Sequence, residues 1–157
     1  MKNSSRLGWL LVFVQLLVFI GFVVIPMREP DGLGVAVGSI LIVAGFGFLV
    51  WAFISLGNAL TANPVPLAHA ELRTGGAFAV VRHPIYTALL IGLLGFGILM
   101  GSWWTFAWWL VACLFFWGKS HWEDSMLHAK FGAAWEQWAH VTPALIPFTR
   151  YRKKSAP

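Results

Sequence analysis

The sequence predicts an all-α integral membrane protein, a bundle of about four transmembrane helices plus an amphipathic C-terminal helix. Of its 157 residues, 59% are hydrophobic and only 11% are charged, whereas roughly a quarter are charged in soluble domains. The mean hydropathy is +0.74. Four apolar runs reach or approach the length of about 20 residues that a membrane-spanning helix needs. The length suits one domain, which we predict over residues 1–157.

The four apolar runs set the predicted helices. These are residues 8–25, 33–56, 84–100 and 103–118, followed by an amphipathic helix at about 119–139. The first run is predicted to be retained, because "PMREPDG" follows it instead of a small-residue signal cleavage site. Only Gly101 and Ser102 separate the third run from the fourth, and this predicts a tight helical hairpin.

The basic residues orient the predicted bundle. With a cytoplasmic N-terminus, ten of the eleven lysines and arginines fall on the cytoplasmic side, as the positive-inside rule requires. Both termini are therefore predicted to be cytoplasmic, with the tail "RYRKK" on anionic headgroups of the bilayer. The net charge of +5 indicates topology, and no nucleic-acid partner is predicted. The single cysteine excludes a disulfide framework. Nothing in the sequence indicates an oligomeric state.

The segment "KSHWEDSMLHAKFGAAWEQWAHV" carries the amphipathic pattern. Trp122, Met126, Phe131, Trp135 and Trp138 recur three to five residues apart, which is typical of one apolar helix face. Such a face either lies in the membrane interface or packs under the bundle. Both alternatives are compatible with the sequence.

The stretch "VVRHPIYTALL" places polar groups at the start of the third run. Pro84 is tolerated in the first helical turn, where its missing N–H has no intrahelical partner. A residue before proline is disfavoured in helical conformation, so His83 is predicted at the helix boundary. Arg82, His83 and Tyr86 would then surround a helix N-terminus, which favours anions. The planar guanidinium of Arg82 suits a carboxylate or phosphate.

The predicted hairpin brings a second group of polar side chains to the same level. Each leg is about 25 Å long at 1.5 Å per residue, so the chain returns to the level of His83 near residues 119–124. Glu123 and Asp124 lie there. The pattern predicts a site for a zwitterion, with cationic groups for its carboxylate and anionic groups for an amine or for ribose hydroxyls.

Each of these residues also has a simpler explanation. Arg82 could be a topology charge, His83 a helix cap, and Tyr86 an interfacial residue. Glu123 and Asp124 could be a solvated start of the amphipathic helix. The other four histidines show no metal-ligand spacing, so no metal site is predicted.

Two segments carry a resemblance to a known family. "RTGGAFAVVRHPIYTALL", followed by a hairpin and "WEDSMLHAKFGAAWEQWAHVTPALIPF", resembles the isoprenylcysteine carboxyl methyltransferase family and its relatives among phospholipid methyltransferases. The resemblance covers about residues 56–148, and "LTANPVPLAHAEL" looks like the loop of bacterial members. It implies an integral membrane enzyme that uses S-adenosylmethionine, in the inner membrane of a bacterium.

The resemblance also implies roles for particular residues. The cofactor-binding residues it implies are His69, Arg82, His83, Pro84, Tyr86, Glu123 and Asp124. Arg82 and Glu123 are the candidate catalytic residues. The loop through Pro64, Pro66 and His69 is expected to close over the cofactor.

The sequence departs from the family pattern at four positions. Phe78 stands where a glycine-x-tyrosine pattern expects a hydroxyl, and Asp124 replaces a second glutamate that is one methylene longer. Trp135 and Trp138 replace spaced tyrosines. These departures concern the specificity for the substrate more than the cofactor.

The expected acceptor is a lipidic molecule that enters from the bilayer, most simply a carboxylate such as a prenylcysteine. A carboxylate needs no base at neutral pH, whereas an amine must first lose a proton, and the sequence shows no dedicated base. Three alternatives stay open: a phospholipid amine methyltransferase, an NADPH-dependent reductase of the sterol type, and a non-catalytic membrane protein of the same fold.

Overall fold

The computed structural model describes residues 2–26, 28–29, 31–57, 65, 71–147 and 149. These residues form five α-helices, one short 3₁₀ helix and no strand, which confirms the all-α prediction. The helices are α1 (Lys2–Val24), α2 (Gly32–Leu56), α3 (Pro84–Leu99), α4 (Trp103–Phe131) and α5 (Ala133–Val141), and the 3₁₀ helix is Gly76–Ala79.

Helices α1 and α2 are long and apolar enough to cross a membrane, over Ser5–Val24 and Gly32–Leu56. Only 17% and 11% of the residues in their most apolar windows are buried within the protein. Most of their apolar surface therefore faces outward, as it does in a helix that contacts lipid. Helix α3 is apolar but only 16 residues long, and four spans remain a prediction.

Helices α2 and α3 pack backbone to backbone through small residues. A Cβ added at Gly45 would lie 2.7 Å from the backbone N of Gly92 and 2.9 Å from the carbonyl oxygen of Ala88. A Cβ at Gly95 would lie 2.7 Å from the carbonyl oxygen of Gly38. Small residues at helix contacts are typical of membrane bundles, where close backbone approach supplies the packing energy.

Helices α3 and α4 form the predicted hairpin. Gly101 makes the turn with a φ of 61°, a conformation that glycine adopts without a steric penalty. The Thr105 hydroxyl donates to the carbonyl oxygen of Gly97 at 3.0 Å. Further along, the Trp109 Nε1 donates to the carbonyl oxygen of Leu90 at 2.8 Å. These bonds hold the two legs side by side.

The prediction that the fourth helix ends near residue 118 is wrong. Helix α4 continues to Phe131, and the break falls at Gly132, whose φ is 52°. The predicted amphipathic helix is therefore divided between the end of α4 and α5. A single glycine such as Gly118 costs a helix only about 1 kcal/mol, and the buried side chains of Lys119 and Asp124 beyond it keep the helix packed.

Helix α1 packs against the middle of α4. The Trp108 Nε1 donates to the carbonyl oxygen of Val18 at 2.8 Å. Val18, Phe22 and Ala112 form a buried cluster at this contact. The Trp108 ring also lies where a Cβ at Gly21 would be, with its nearest atoms 2.3 Å away. The side chain of Trp108 thus occupies space that only a glycine on α1 leaves open.

The amphipathic face packs against the protein itself, one of the two alternatives that the sequence left open. Trp135 and Trp138 are each only 8% exposed and form a core with Ala139. Trp138 Nε1 donates to the carbonyl oxygen of Phe78 at 3.2 Å. Two departures from the family pattern, Phe78 and Trp138, thus form one tertiary contact between the 3₁₀ helix and α5.

Candidate functional site

The segment before α3 is held by the segment that follows α5. The backbone N–H of Arg82 donates to the carbonyl oxygen of Pro143 at 2.8 Å, and that of His83 to Ala144 at 3.1 Å. His83 immediately precedes α3, and Pro84 is its first residue, as predicted. The tail after α5 therefore determines how the Arg-His-Pro segment enters the helix.

The guanidinium of Arg82 is buried and bonded on both of its edges. Its Nη2 lies 2.8 Å from Oδ2 of Asp124, and its Nε donates to both carboxylate oxygens at 3.3 and 3.4 Å. The Nη1 donates to the carbonyl oxygens of Ala139 and Thr142. Arg82 therefore connects α4 to α5, and the fork expected to receive a ligand already holds Asp124.

His83 lies between the two adjacent carboxylates. Its Nε2 is 2.9 Å from Oδ1 of Asp124, and its Nδ1 is 3.3 Å from Oε2 of Glu123. An ionised carboxylate only accepts hydrogen bonds, so two carboxylates beside the two ring nitrogens favour the imidazolium form of His83. Burial alone would lower the pKa of His83, but the bonds to Asp124 and Glu123 outweigh it and raise the pKa to about 9.

The two carboxylates have separate partners. Burial alone would raise the pKa of Asp124, but the bonds and charges of His83 and Arg82 hold it below its usual range. The Tyr86 hydroxyl donates to Oε1 of Glu123. The rings of His83 and Tyr86 stack nearly parallel, with centroids 5.6 Å apart. Asp124 is one methylene shorter than the glutamate of the family pattern, but it still contacts the side chains of Arg82 and His83.

The predicted convergence through the hairpin is confirmed. Arg82, His83 and Tyr86 meet Glu123 and Asp124, across 37 to 42 residues of sequence. Their predicted roles in cofactor binding and catalysis remain predictions. The loop residues assigned to the same site, Pro64, Pro66 and His69, lie outside the described residues.

Lys119 belongs to the same cluster and was missed by the sequence reasoning. It lies one helical turn before Glu123 on α4 and is only 5% exposed. Its ammonium donates to Oε1 of Gln15 on α1 at 2.6 Å and lies 4.9 Å from the centroid of the Tyr86 ring. From the sequence, Lys119 was interpreted only as a charge that sets the topology. Its spacing of four residues from Glu123 nevertheless indicated a shared helix face.

A cleft of about 680 Å³ opens on the Arg82 and Asp124 side of the cluster. Its walls are the last turns of α4, helix α5 and the segment after it. The residues at its walls are Arg82, His121, Asp124, Ser125, His128, Trp135, Glu136, Gln137, Ala139, His140, Pro143, Ala144 and Thr149. The Nε1 of Trp135 is buried without a hydrogen-bond partner in the part of the chain that the structure describes. Buried polar atoms normally have a partner, so this N–H is an unsatisfied donor in a residue of the cleft wall.

The donor set around the cleft contains cations, carboxylates and aromatic rings. Within the described ranges, no group of three histidine, cysteine, aspartate or glutamate side chains is placed to hold a metal ion. The arrangement suits an organic ligand that combines charged ends with a planar ring.

A buried cluster of charged side chains with a cleft beside it, in a chain with two helices apolar enough to cross a membrane, suits a membrane-associated enzyme. The chain belongs to the phospholipid methyltransferase family, whose profile matches residues 33–134. The match spans α2, the hairpin and both halves of the cluster. Methyl transfer to a lipid-type substrate follows from this family. No curated protein matches the sequence significantly.

Proposed function

We propose that this chain transfers the methyl group of S-adenosylmethionine to the carboxylate of a lipidic acceptor, such as a prenylcysteine, at the cytoplasmic face of a membrane. The observation that carries the proposal is the five-residue cluster beside the cleft, with Arg82, His83 and Tyr86 facing Glu123 and Asp124; of these, Arg82 and Asp124 line the cleft. The family match supports methyl transfer over the reductase alternative.

The cofactor fits the cleft beside Arg82 and Asp124. When bound, S-adenosylmethionine supplies a methyl group on a positively charged sulfur, which becomes a neutral thioether as the methyl leaves. Its carboxylate would share the guanidinium of Arg82 with Asp124, and the carboxylates of Glu123 and Asp124 would bind its ammonium. Trp135 offers an aromatic wall for the adenine, because this residue lines the cleft.

The protonation of the cluster favours an acceptor that is already nucleophilic. His83 has no free lone pair, because both of its nitrogens donate to carboxylates. Asp124 accepts bonds from two cations, and Glu123 accepts from Tyr86 and His83. Neither His83 nor Asp124 is therefore a ready proton acceptor, whereas an amine would need one. A carboxylate acceptor needs only positioning against the methyl group.

The topology that goes with this function has four spans and two cytoplasmic termini, in the inner membrane of a bacterium. The site then lies at the cytoplasmic ends of α3 and of the apolar part of α4. The acceptor enters from the lipid phase, because its chain is apolar and α1 and α2 present apolar surface outward.

Calorimetric titration with S-adenosylhomocysteine tests the cofactor. The purified wild type is compared with Glu123→Gln, which keeps the shape and removes the charge. Glu29→Gln serves as the matched control, because Glu29 is exposed in the loop between α1 and α2. We expect binding to the wild type and the control, and at least tenfold weaker binding to Glu123→Gln. A folded wild type that binds NADPH or neither compound contradicts the proposal.

The stability of the methylated lipid in mild base distinguishes a carboxylate acceptor from an amine acceptor. Membranes containing the protein are incubated with S-adenosylmethionine carrying a labelled methyl group, and the lipid product is treated with mild base. A methyl ester releases its label as methanol under these conditions, whereas an N-methylated amine keeps it. Release of the label supports the carboxylate acceptor.

A phospholipid amine is the second candidate, and His121 is the observation that favours it. Its Nδ1 lies 2.8 Å from the carbonyl oxygen of Trp117, which only accepts, so in the neutral ring Nε2 holds the lone pair. His121 lines the cleft, where it could take a proton from an amine. Base-stable label in the lipid, reduced in His121→Phe, supports this candidate.

A further inference from the structure

The ammonium of Lys119 is buried against an apolar helix. It contacts Gln15, which is midway along the candidate span Ser5–Val24. Lysines near the ends of membrane helices normally extend toward the interface, whereas this one extends toward the middle of α1. A buried ionisable group against a candidate membrane span is costly and is a functional-site candidate by default.

The contacts of Lys119 leave its charge incompletely compensated. An ammonium donates three hydrogen bonds, and within the described residues Lys119 makes one, to the neutral amide oxygen of Gln15. The nearest carboxylate, Glu123, already accepts from Tyr86 and His83. The ring of Tyr86 offers a weaker contact through its π face.

The charges of the whole cluster also indicate that the charge of Lys119 is incompletely compensated. Arg82, His83 and Lys119 are three cations, and Glu123 and Asp124 are two anions. Arg82 and His83 are each within 4 Å of a carboxylate, but Lys119 forms no such ion pair among the described residues. One positive charge is in excess, and it lies on the α1 side of the cluster.

We propose that Lys119 binds the anionic oxygen of the lipidic acceptor and so selects acceptors with an acidic headgroup. This inference rests on the proposed methyl transfer and adds a residue that recognises the acceptor. The ligand replaces Gln15 as the partner of Lys119 and approaches between α1 and α4. A carboxylate and a lipid phosphate share this chemistry. Either anion also compensates the excess positive charge of the cluster.

Equilibrium binding in a neutral sugar detergent tests the proposal. Three probes share one farnesyl chain: farnesylated N-acetylcysteine with a free carboxylate, its methyl ester, and farnesyl phosphate. Binding is followed by the intrinsic tryptophan fluorescence of the full chain. We expect the acid to bind the wild type at least tenfold more tightly than the ester, the equivalent of about 1.4 kcal/mol, because the ester lacks the negative charge that pairs with the ammonium.

Three variants assign the preference to Lys119. Lys119→Met should bind acid and ester about equally, and Lys119→Arg should keep most of the preference. Lys130→Met is the matched control, because Lys130 is an exposed lysine on the same helix, and it should behave as the wild type. A lysine that only ties α4 to α1 would not distinguish an acid from its ester.

The proposal is overturned by either of two results. One is equal binding of acid and ester by the wild type, a result that does not depend on whether any variant folds. The other is an undiminished preference in folded Lys119→Met. Tighter binding of farnesyl phosphate than of the carboxylate would support the proposal and assign the site to a phosphate headgroup. Failure of S-adenosylhomocysteine to bind would reject the methyl transfer separately.

Discussion

The guanidinium of Arg82 and the carboxylate of Asp124 form a buried ion pair across 42 residues of sequence, with Nη2 2.8 Å from Oδ2. The pair joins the chain just before α3 to the end of α4, and Arg82 also bonds the carbonyl oxygens of Ala139 and Thr142. One side chain thus holds the two halves of the candidate site and the segment that follows them.

Removal of the negative charge from this pair should destabilise the fold strongly. In Asp124→Asn the guanidinium of Arg82 stays buried without its counter-ion, which costs about 3–5 kcal/mol. We expect a clearly lower midpoint of thermal unfolding in detergent. Glu136→Gln is the control, because its pair with His128 is about half exposed and such pairs contribute about 0–1 kcal/mol. Equal midpoints for the two variants would contradict the structural role of Asp124.

The stability of the protein should fall as the pH rises from about 6.5 to 9. The pKa of His83 is raised from 6.5 to about 9, so the protonated form stabilises the fold fully below the lower value. The contribution, about 3 kcal/mol at most, is lost as the pH rises through about 9. Unfolding midpoints across this range should show the decline in the wild type and a smaller one in His83→Gln. A flat wild-type profile would argue against the doubly paired imidazolium.

Adding a single methyl group at the contact between α2 and α3 should destabilise the protein. In Gly45→Ala the new Cβ would lie 2.7 Å from the backbone N of Gly92, so the helices must separate, at a cost of about 1–3 kcal/mol. Gly47→Ala, two residues further on, meets nothing within 4 Å. It should be neutral or stabilising by up to about 1 kcal/mol, because alanine favours the helix. Thermal unfolding of both variants gives the comparison.

Loss of the Tyr86 hydroxyl should weaken the proposed cofactor site while the bundle stays folded. In Tyr86→Phe, Glu123 loses one donor and its orientation is less restricted. We expect S-adenosylhomocysteine to bind about fivefold more weakly, the equivalent of about 1 kcal/mol. The ring still stacks on His83 and packs on Phe116, so the unfolding midpoint should change little. Unchanged binding would place the ligand away from Glu123.

The sequence by itself determined the helical class and the location of the candidate site. Hydropathy marked the apolar helices, and a proline at the first position of α3 marked where that helix begins. Two legs of similar length around Gly101 were enough to bring Glu123 and Asp124 to the level of His83. These features follow from local geometry, because helix rise and turn chemistry are properties of short segments.

Only the tertiary structure decided which side chains of the candidate site pair with each other. Asp124 forms an ion pair with Arg82, whereas Glu123 accepts a hydrogen bond from Tyr86. Helix spacing alone does not distinguish these pairings from the alternatives. Lys119 reaches Gln15 because α1 packs on α4, a contact between segments about 100 residues apart that no local pattern encodes. The continuation of α4 past Gly118 was decided in the same way, since burial of side chains outweighs the weak local preference of one glycine.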